Sequence, residues 1–253
     1  MRWRPCSVSA RSWVSANMNE ALIYPPQIEL VSDHACLLTF AESINDAAAD
    51  VIALVTKALR NCEGIIDLVP SYTTLLVVFD TDHYDRFKIT NKIKTLANKI
   101  ELNSTNTSAR REVVIPVYYA PEVGPDLEEV ASQCNLTIDE VIKLHSETAY
   151  RAYAIGFAPG FAFLGNTPEA IRMPRKTTPR LKVPLGSVAI AEQQTAVYPS
   201  VTPGGWQILG RTPVQLVDWQ SDSLALIEVG DTVRFEPITR EEFLAQGGQL
   251  DGF

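Results

Sequence analysis

No apolar run in this chain approaches the roughly 20 residues that a helix needs to cross a bilayer, so no membrane span is expected. Its 253 residues hold only three histidines, His34, His83 and His145, with no H-E-x-x-H or other ligand spacing; no metal site is expected. Cys6, Cys36, Cys62 and Cys134 are scattered, with no C-x-x-C. That pattern excludes a zinc ribbon or redox motif and fits reduced thiols in a cytoplasmic protein. Neither G-x-x-x-x-G-K-[ST] nor G-x-G-x-x-G occurs, so a nucleotide would need another loop system. A formal net charge of −8 argues against nucleic acid as a partner. Asn103, Asn106 and Asn135 begin N-x-S/T tripeptides, which read as chance matches without a secretory signal.

What remains is an ordinary globular composition, 46 % hydrophobic and 21 % charged. Residues 1–18 are Arg- and Ser-rich with poor periodicity and read as a disordered extension or an over-extended start. From Ile28 to Phe40 the pattern suggests a strand pair or one interrupted strand. Ser43 to Asp46 reads as a capping-box-like helix start, with Val51, Leu54, Val55, Ala58 and Leu59 forming an apolar stripe. IIDLVP and TLLVVFD follow as strands, then a helix carried by Ile89, Ile93, Leu96, Ala97 and Ile100. The order strand, helix, strand, strand, helix predicts an α+β domain of the ferredoxin-like, split βαβ type over 20–105. Residues 103–110 contain no large apolar side chain and mark a linker. The second domain, 111–253, opens with the strand VVIPVYY. Two short helices follow, one beginning at Pro125–Asp126 and one at the Thr137–Glu140 capping box, with His145 on the apolar stripe of the latter. Short strands and turns then run to GDTVRFEPI, which predicts a mainly-β barrel.

One stretch stands apart in charge. Between Asn166 and Arg211 lie Arg172, Arg175, Lys176, Arg180, Lys182 and Arg211 against Glu169 and Glu192 only. The preceding segment, Glu112 to Tyr150, is acidic. A basic, Gly-rich loop system within an acidic chain points to an anionic ligand or an acidic partner. Gly156, Gly160, Gly204 and Gly205 would let backbone amides approach oxyanions, and Arg175, Arg180 and Arg211 would clamp phosphate or carboxylate. Equally, the glycines read as barrel turns and the arginines as surface ion pairs.

The motifs IPVYY (115–119), GPDLEEVA (124–131), LHS (144–146), GFAPGFAFLG (156–165), PRLKVPLGSVAIA (179–191), QTAVYP (194–199) and PGGWQILGRTP (203–213) closely resemble the allophanate hydrolase subunit 1 family. LVPSYTTLLVVFD (68–80) extends the resemblance to roughly residues 28–240. The resemblance implies a cyclophilin-like barrel in the C-terminal half. It also implies one component of an ATP-dependent amidohydrolase, with Mg2+, acting on 5-oxoproline to give glutamate. The implied partners in that 5-oxoprolinase are a homologous barrel protein, its C component, and a lactam-binding protein, its A component. Other branches of the family imply a histidine-kinase inhibitor or the carboxyltransferase half of a urea carboxylase. The family usually has Gly after VAIA, where this chain has Glu192; a carboxylate there would repel a bound phosphate.

Within this frame the expected binding residues are Gly156, Phe157, Pro159, Gly160, Phe161, Arg175, Arg180, Ser187, Gln194, Thr195, Tyr198, Gly204, Gly205, Trp206 and Arg211. His145 is the candidate base, set against a packed, hydrogen-bonded core histidine. A Ser187–His145–acid triad is conceivable, but no nucleophile elbow surrounds Ser187. Arg211→Ala and Arg180→Ala are expected to spare the fold.

Overall fold

A computed structural model describes residues 22–99, 111–220 and 224–253, which fall into two compact units divided between residues 106 and 107. The expectations placed on residues 1–18, Ile100 and 103–110 lie outside the described residues.

In the first unit, β1 (Gln27–Ser32) and β2 (Ala35–Thr39) form an antiparallel hairpin, α1 spans Asp46–Arg60, β3 spans Ile65–Pro70, β4 spans Thr74–Phe79 and α2 spans Arg86–Lys99. The sheet order is β1-β2-β4-β3, every neighbouring pair antiparallel. β4 therefore lies between the two strands that α1 connects. The outer place beside β2 is filled by the preceding β1, not by a strand following the second helix. Helix α1 starts two residues later than the Ser43 reading: Asn45 is its cap, and the Ala48 amide donates to Asn45 Oδ1 at 2.8 Å. The buried stripe is Val51, Ile52, Val55 and Leu59, while Leu54 faces solvent. These side chains pack on Leu38, Leu75, Val77, Ile89 and Ile93. Burying each such aliphatic contributes about 1.5–3 kcal/mol.

The second unit is built on a seven-stranded sheet. Its strands are β5 (Glu112–Val117), β6 (Tyr150–Ile155), β7 (Ala162–Gly165), β9 (Ser187–Ala191), β10 (Gln194–Val197), β12 (Gln207–Arg211) and β13 (Thr232–Pro237), in the order β12-β9-β10-β7-β6-β13-β5. The two outermost strands meet. Tyr118 and Arg211 exchange main-chain hydrogen bonds of 2.9 Å in both directions, so the sheet curls into a nearly closed barrel. β8 (Arg180–Val183) and β11 (Thr202–Gly204) form a separate two-stranded ribbon. Among the described residues three α-helices accompany the barrel: α3 (Leu127–Gln133), α4 (Ile138–Ser146) and α5 (Arg240–Ala245). α4 carries the expected capping box, Thr137 and Glu140 each bonding the other's backbone.

Strand alternation sorts side chains between the two faces of the sheet, with Ile190 and Leu209 joining Leu127 and Val130 in a further cluster under the helices. Val188, Val197, Ala162 and Leu164 point inward to join Tyr150 and Phe235. Ala189, Ala191, Ala196, Tyr198 and Ile208 point outward and pack with Phe161, Phe163 and Trp206. The side chains singled out in the sequence are thus distributed over two opposite faces of the same strands.

Candidate functional site

The inward face disposes of His145. The ring is fully buried, stacks on Phe235 at a centroid distance of 4.6 Å, and has both nitrogens engaged: Nδ1 with Tyr119 Oη at 2.7 Å and Nε2 with Thr195 Oγ1 at 2.8 Å. Thr195 in turn donates to the Ala189 carbonyl at 3.0 Å. Burial lowers the His145 pKa to about 3. The ring is therefore neutral and shut away from any ligand, and the expectation that it acts as a base gives way to the packed, hydrogen-bonded alternative. The triad fails with it, because the second ring nitrogen meets Thr195 while the buried Ser187 Oγ has no partner among the described residues.

Arg211 is corrected as well. It is buried, and its guanidinium donates to three carbonyls: Leu185 at 2.8 Å, Gln249 at 2.6 Å and Asp251 at 2.7 Å. Burial pushes its pKa down, with the Asp251 charge acting the other way. It binds the segment Gln249–Asp251 to the barrel rim, and its guanidinium is spent on those carbonyls rather than offered to a ligand. Substitution by Ala would strike the fold, contrary to the sequence reading.

The outward face gathers what remains. The Arg175 guanidinium lies over the Trp206 ring at 5.9 Å, and Arg180 lies over the Phe253 ring at 6.0 Å. Trp206 meets Phe161 edge-on at 5.8 Å, and Phe161 meets Tyr198 edge-on at 5.3 Å. Burial raises the Tyr198 pKa to about 12, opposed by the Trp206 amide and the charges of Arg175 and Arg180. Gly204 belongs here for a steric reason: a Cβ on it would run into the Tyr198 hydroxyl. Gly205 accepts the Lys176 amide through its carbonyl at 2.7 Å. Arg175, Arg180, Tyr198, Gly204, Gly205, Trp206 and Phe161 are therefore one cluster.

Sequence reasoning missed the residue that organises it. Asp126 reads as a helix start, yet its side chain makes no cap and is buried. Oδ1 accepts from Lys176 Nζ at 2.6 Å and from Arg180 Nη2 at 2.7 Å, while Oδ2 accepts from the Ile208 amide at 2.7 Å. Burial pushes the Asp126 pKa up; the bonds from Arg180, Lys176 and Ile208 outweigh it and hold the carboxyl below its ordinary value. Lys176 also reaches Glu129 and Gln207, both at 3.2 Å. Partners that are 50 and 54 residues away leave no local signal in the sequence. Two of the six basic side chains of this stretch, Lys176 and Arg180, are consequently paired with carboxylates. Arg180 still keeps one buried nitrogen, Nη1, with no acceptor among the described residues.

The loop between β6 and β7 holds Gly156, Phe157, Pro159 and Gly160. Phe157 adopts a left-handed backbone, φ 70°, with its ring 65 % exposed, an arrangement that costs on the order of 1 kcal/mol. Pro159 borders a cleft of about 530 Å³ with Leu185, Pro199, Gln215 and Trp219. Gln194 is half-buried on β10, opposite Gly165 and Ala191. Glu192 forms the tight β9–β10 turn at φ 55°, with its amide donating to the Met173 carbonyl at 2.6 Å. That left-handed φ explains why glycine is at ease in this place. Among the described residues no group of three or more His, Cys, Asp or Glu side chains is arranged to hold a metal ion, and no helix is long and apolar enough to cross a membrane.

Residues 26–227 match the family described as carboxyltransferase domain, subdomain C and D. The chain belongs to that family. Within it, the chain is 37 % identical over 237 residues to the B subunit of 5-oxoprolinase from Bacillus subtilis (strain 168), covering 87 % of this chain and 95 % of that protein. The chain is also similar to the crystal structure of TTHA0988, with TM-score 0.73 and 35 % identity over 82 % of this chain. This chain spans only 40 % of the TTHA0988 chain. The urea carboxylase of Kluyveromyces lactis superposes with TM-score 0.65 at 15 % identity, over 87 % of this chain and 22 % of that one, a likeness of fold alone.

Proposed function

We propose that this chain is the B component of an ATP-dependent 5-oxoprolinase, opening 5-oxoproline to glutamate in the cytoplasm together with a homologous C component and a lactam-binding A component. The observation that carries the reading is the 37 % identity to the B subunit of 5-oxoprolinase over nearly the whole of both chains. The urea carboxylase alternative has only a shared fold behind it. The kinase-inhibitor alternative needs a broad basic face, and Lys176 and Arg180 are neutralised by Asp126 and Glu129.

A magnesium triphosphate does not fit the residues of this chain by themselves. Arg211 is committed to carbonyls and Lys176 to carboxylates, so the expected clamp of Arg175, Arg180 and Arg211 is reduced to Arg175 and Arg180. We assign the nucleotide to a site completed by another component. With His145 neutral and sealed, the base that activates water also comes from a partner. What this chain offers is positioning: an aromatic floor, the Arg180 guanidinium held by Asp126, the Arg175 guanidinium over Trp206 and the buried Tyr198 hydroxyl against Gly204, the kind of fixed charge that orients a small anionic amide. The cyclophilin-like description of the barrel, and a ferredoxin-like description of the first unit with β1 in the place of the last strand, are part of the same reading.

The test is reconstitution of the chain with both partner components and an assay of ATP-dependent glutamate formation from 5-oxoproline. Turnover that requires all three proteins supports the assignment; its absence with every partner folded and present refutes it.

A further inference from the structure

We propose that Arg180 Nη1, Arg175 and the Tyr198 hydroxyl form an oxyanion subsite, and that Phe253 covers it until a ligand takes its place. The inference deepens the 5-oxoprolinase reading and rests on it for the identity of the ligand, a small amide carrying a carboxylate.

The first observation is the split use of Arg180. Nη2 is committed to Asp126 Oδ1, whereas Nη1 is buried with no acceptor among the described residues. A cationic N–H withdrawn from water without a partner is costly, and its persistence calls for a reason. Asp126 supplies one: by fixing Nη2 and joining the Ile208 amide, it locks the guanidinium plane and leaves the other nitrogen outside the carboxylate's reach. The second observation is what stands around that guanidinium. Phe253 lies over it, and the Phe253 ring is itself half exposed. Gly204, the partner of Arg180 across the β8–β11 ribbon, packs directly against the Tyr198 hydroxyl, which brings that hydroxyl to the same side of the ribbon. Arg175, exposed and stacked over Trp206, forms no salt bridge among the described residues. The Arg175 guanidinium fork, the remaining Arg180 nitrogen and a phenol beside a close-packed Gly204 make a fitting receptor for a carboxylate or phosphoryl group, with Trp206 as a flat neighbour for a ring.

The third observation concerns the cover. Gln249 and Asp251 are fastened by their carbonyls to the buried Arg211, so the segment that carries Phe253 is tethered two residues before the ring. Swinging the Phe253 ring aside would uncover Arg180 without releasing the tether.

The experiment follows the indole signals of the full chain carrying nitrogen-labelled tryptophan, with the Trp206 signal assigned through Trp206→Phe. Three probes are titrated: 5-oxoproline, 2-pyrrolidone, which keeps the lactam and lacks the carboxylate, and inorganic phosphate. Expected is a saturable shift of the Trp206 signal with 5-oxoproline and none with 2-pyrrolidone. Phe253→Ala should tighten binding several-fold. Arg175→Gln and Arg180→Lys, the latter keeping the charge beside Asp126 while removing the fork, should each weaken it by roughly tenfold. A shift with phosphate alone also supports the oxyanion subsite and assigns it to a phosphoryl group. The proposal is overturned if neither anion moves the Trp206 signal in the uncovered Phe253→Ala protein, or if both arginine variants bind as the native chain does. Turnover of the reconstituted complex, measured in parallel, separates the two ideas. Native turnover with Arg175→Gln sinks the subsite alone, and anion binding without any turnover sinks the 5-oxoprolinase assignment alone.

Discussion

The two faces of the β9–β10 hairpin each carry polar side chains and treat them differently. On the inward face Thr195 closes a chain from the Ala189 carbonyl through His145 to Tyr119, and every polar side-chain atom of that chain is partnered. On the outward face Tyr198 packs on Gly204, the ribbon partner of Arg180, and Arg180 retains a buried nitrogen with no acceptor among the described residues. A satisfied polar network fixes a core, while an unsatisfied donor at a surface cluster marks a place where something else binds. By this comparison the barrel interior is architecture and the outer face is the proposed site.

The largest expected departure comes from Arg211, which belongs to the architecture. Arg211→Ala orphans the carbonyls of Leu185, Gln249 and Asp251 and should cost about 4 kcal/mol, read as a fall in the urea midpoint of the second unit. A loss below about 1 kcal/mol would return Arg211 to the candidate ligands.

His145 gives the next effect through pH. Its folded pKa of about 3 lies below the ordinary histidine value near 6.5, so the unfolded state binds more protons between those limits. Its contribution is full above about pH 6.5 and declines as pH falls toward 3, by about 3 kcal/mol between pH 6.5 and 4. His145→Gln should be less stable at neutral pH and should flatten that decline; an unchanged slope means the ring is not the titrating group.

Why these assignments were only partly legible is plain from the residues. Alternation and capping chemistry are local, so the Thr137 box, the helix stripes and the strands β3, β4, β5 and β13 could be read directly from the chain. The motifs that carry the family resemblance also located the right region. Asp126 could not be read, because its three partners come from β8, β12 and the segment before β8. Nor could the roles of Arg211 and Arg180 be told apart. Both stand at the ends of strands, and only the barrel closure buries one against carbonyls. Leu54 looked like stripe and is exposed, while Ile52 took its place, a difference of helix rotation that a short window does not fix.

Gly204 and Glu192 give two smaller effects. Gly204→Ala drives a methyl into the Tyr198 hydroxyl and should cost about 2 kcal/mol, with Tyr198→Phe in the same chain restoring part of it. Additive losses would mean that the clash lies elsewhere. Glu192→Gly relieves a left-handed backbone and should stabilise by about 0.5 kcal/mol, once the greater freedom of the unfolded chain is subtracted. Its midpoint should rise slightly, and a clear fall would show that the Glu192 side chain makes a contribution of its own.

The comparison of faces is tested most directly by measuring turnover and thermal unfolding together in the reconstituted complex for Arg175→Gln and His145→Gln. The account predicts that Arg175→Gln leaves the unfolding temperature unchanged and lowers 5-oxoproline turnover by roughly tenfold, whereas His145→Gln lowers the unfolding temperature and leaves the folded fraction active. Native turnover from Arg175→Gln, together with a stable but inactive His145→Gln complex, would move the site from the outer face to the barrel interior.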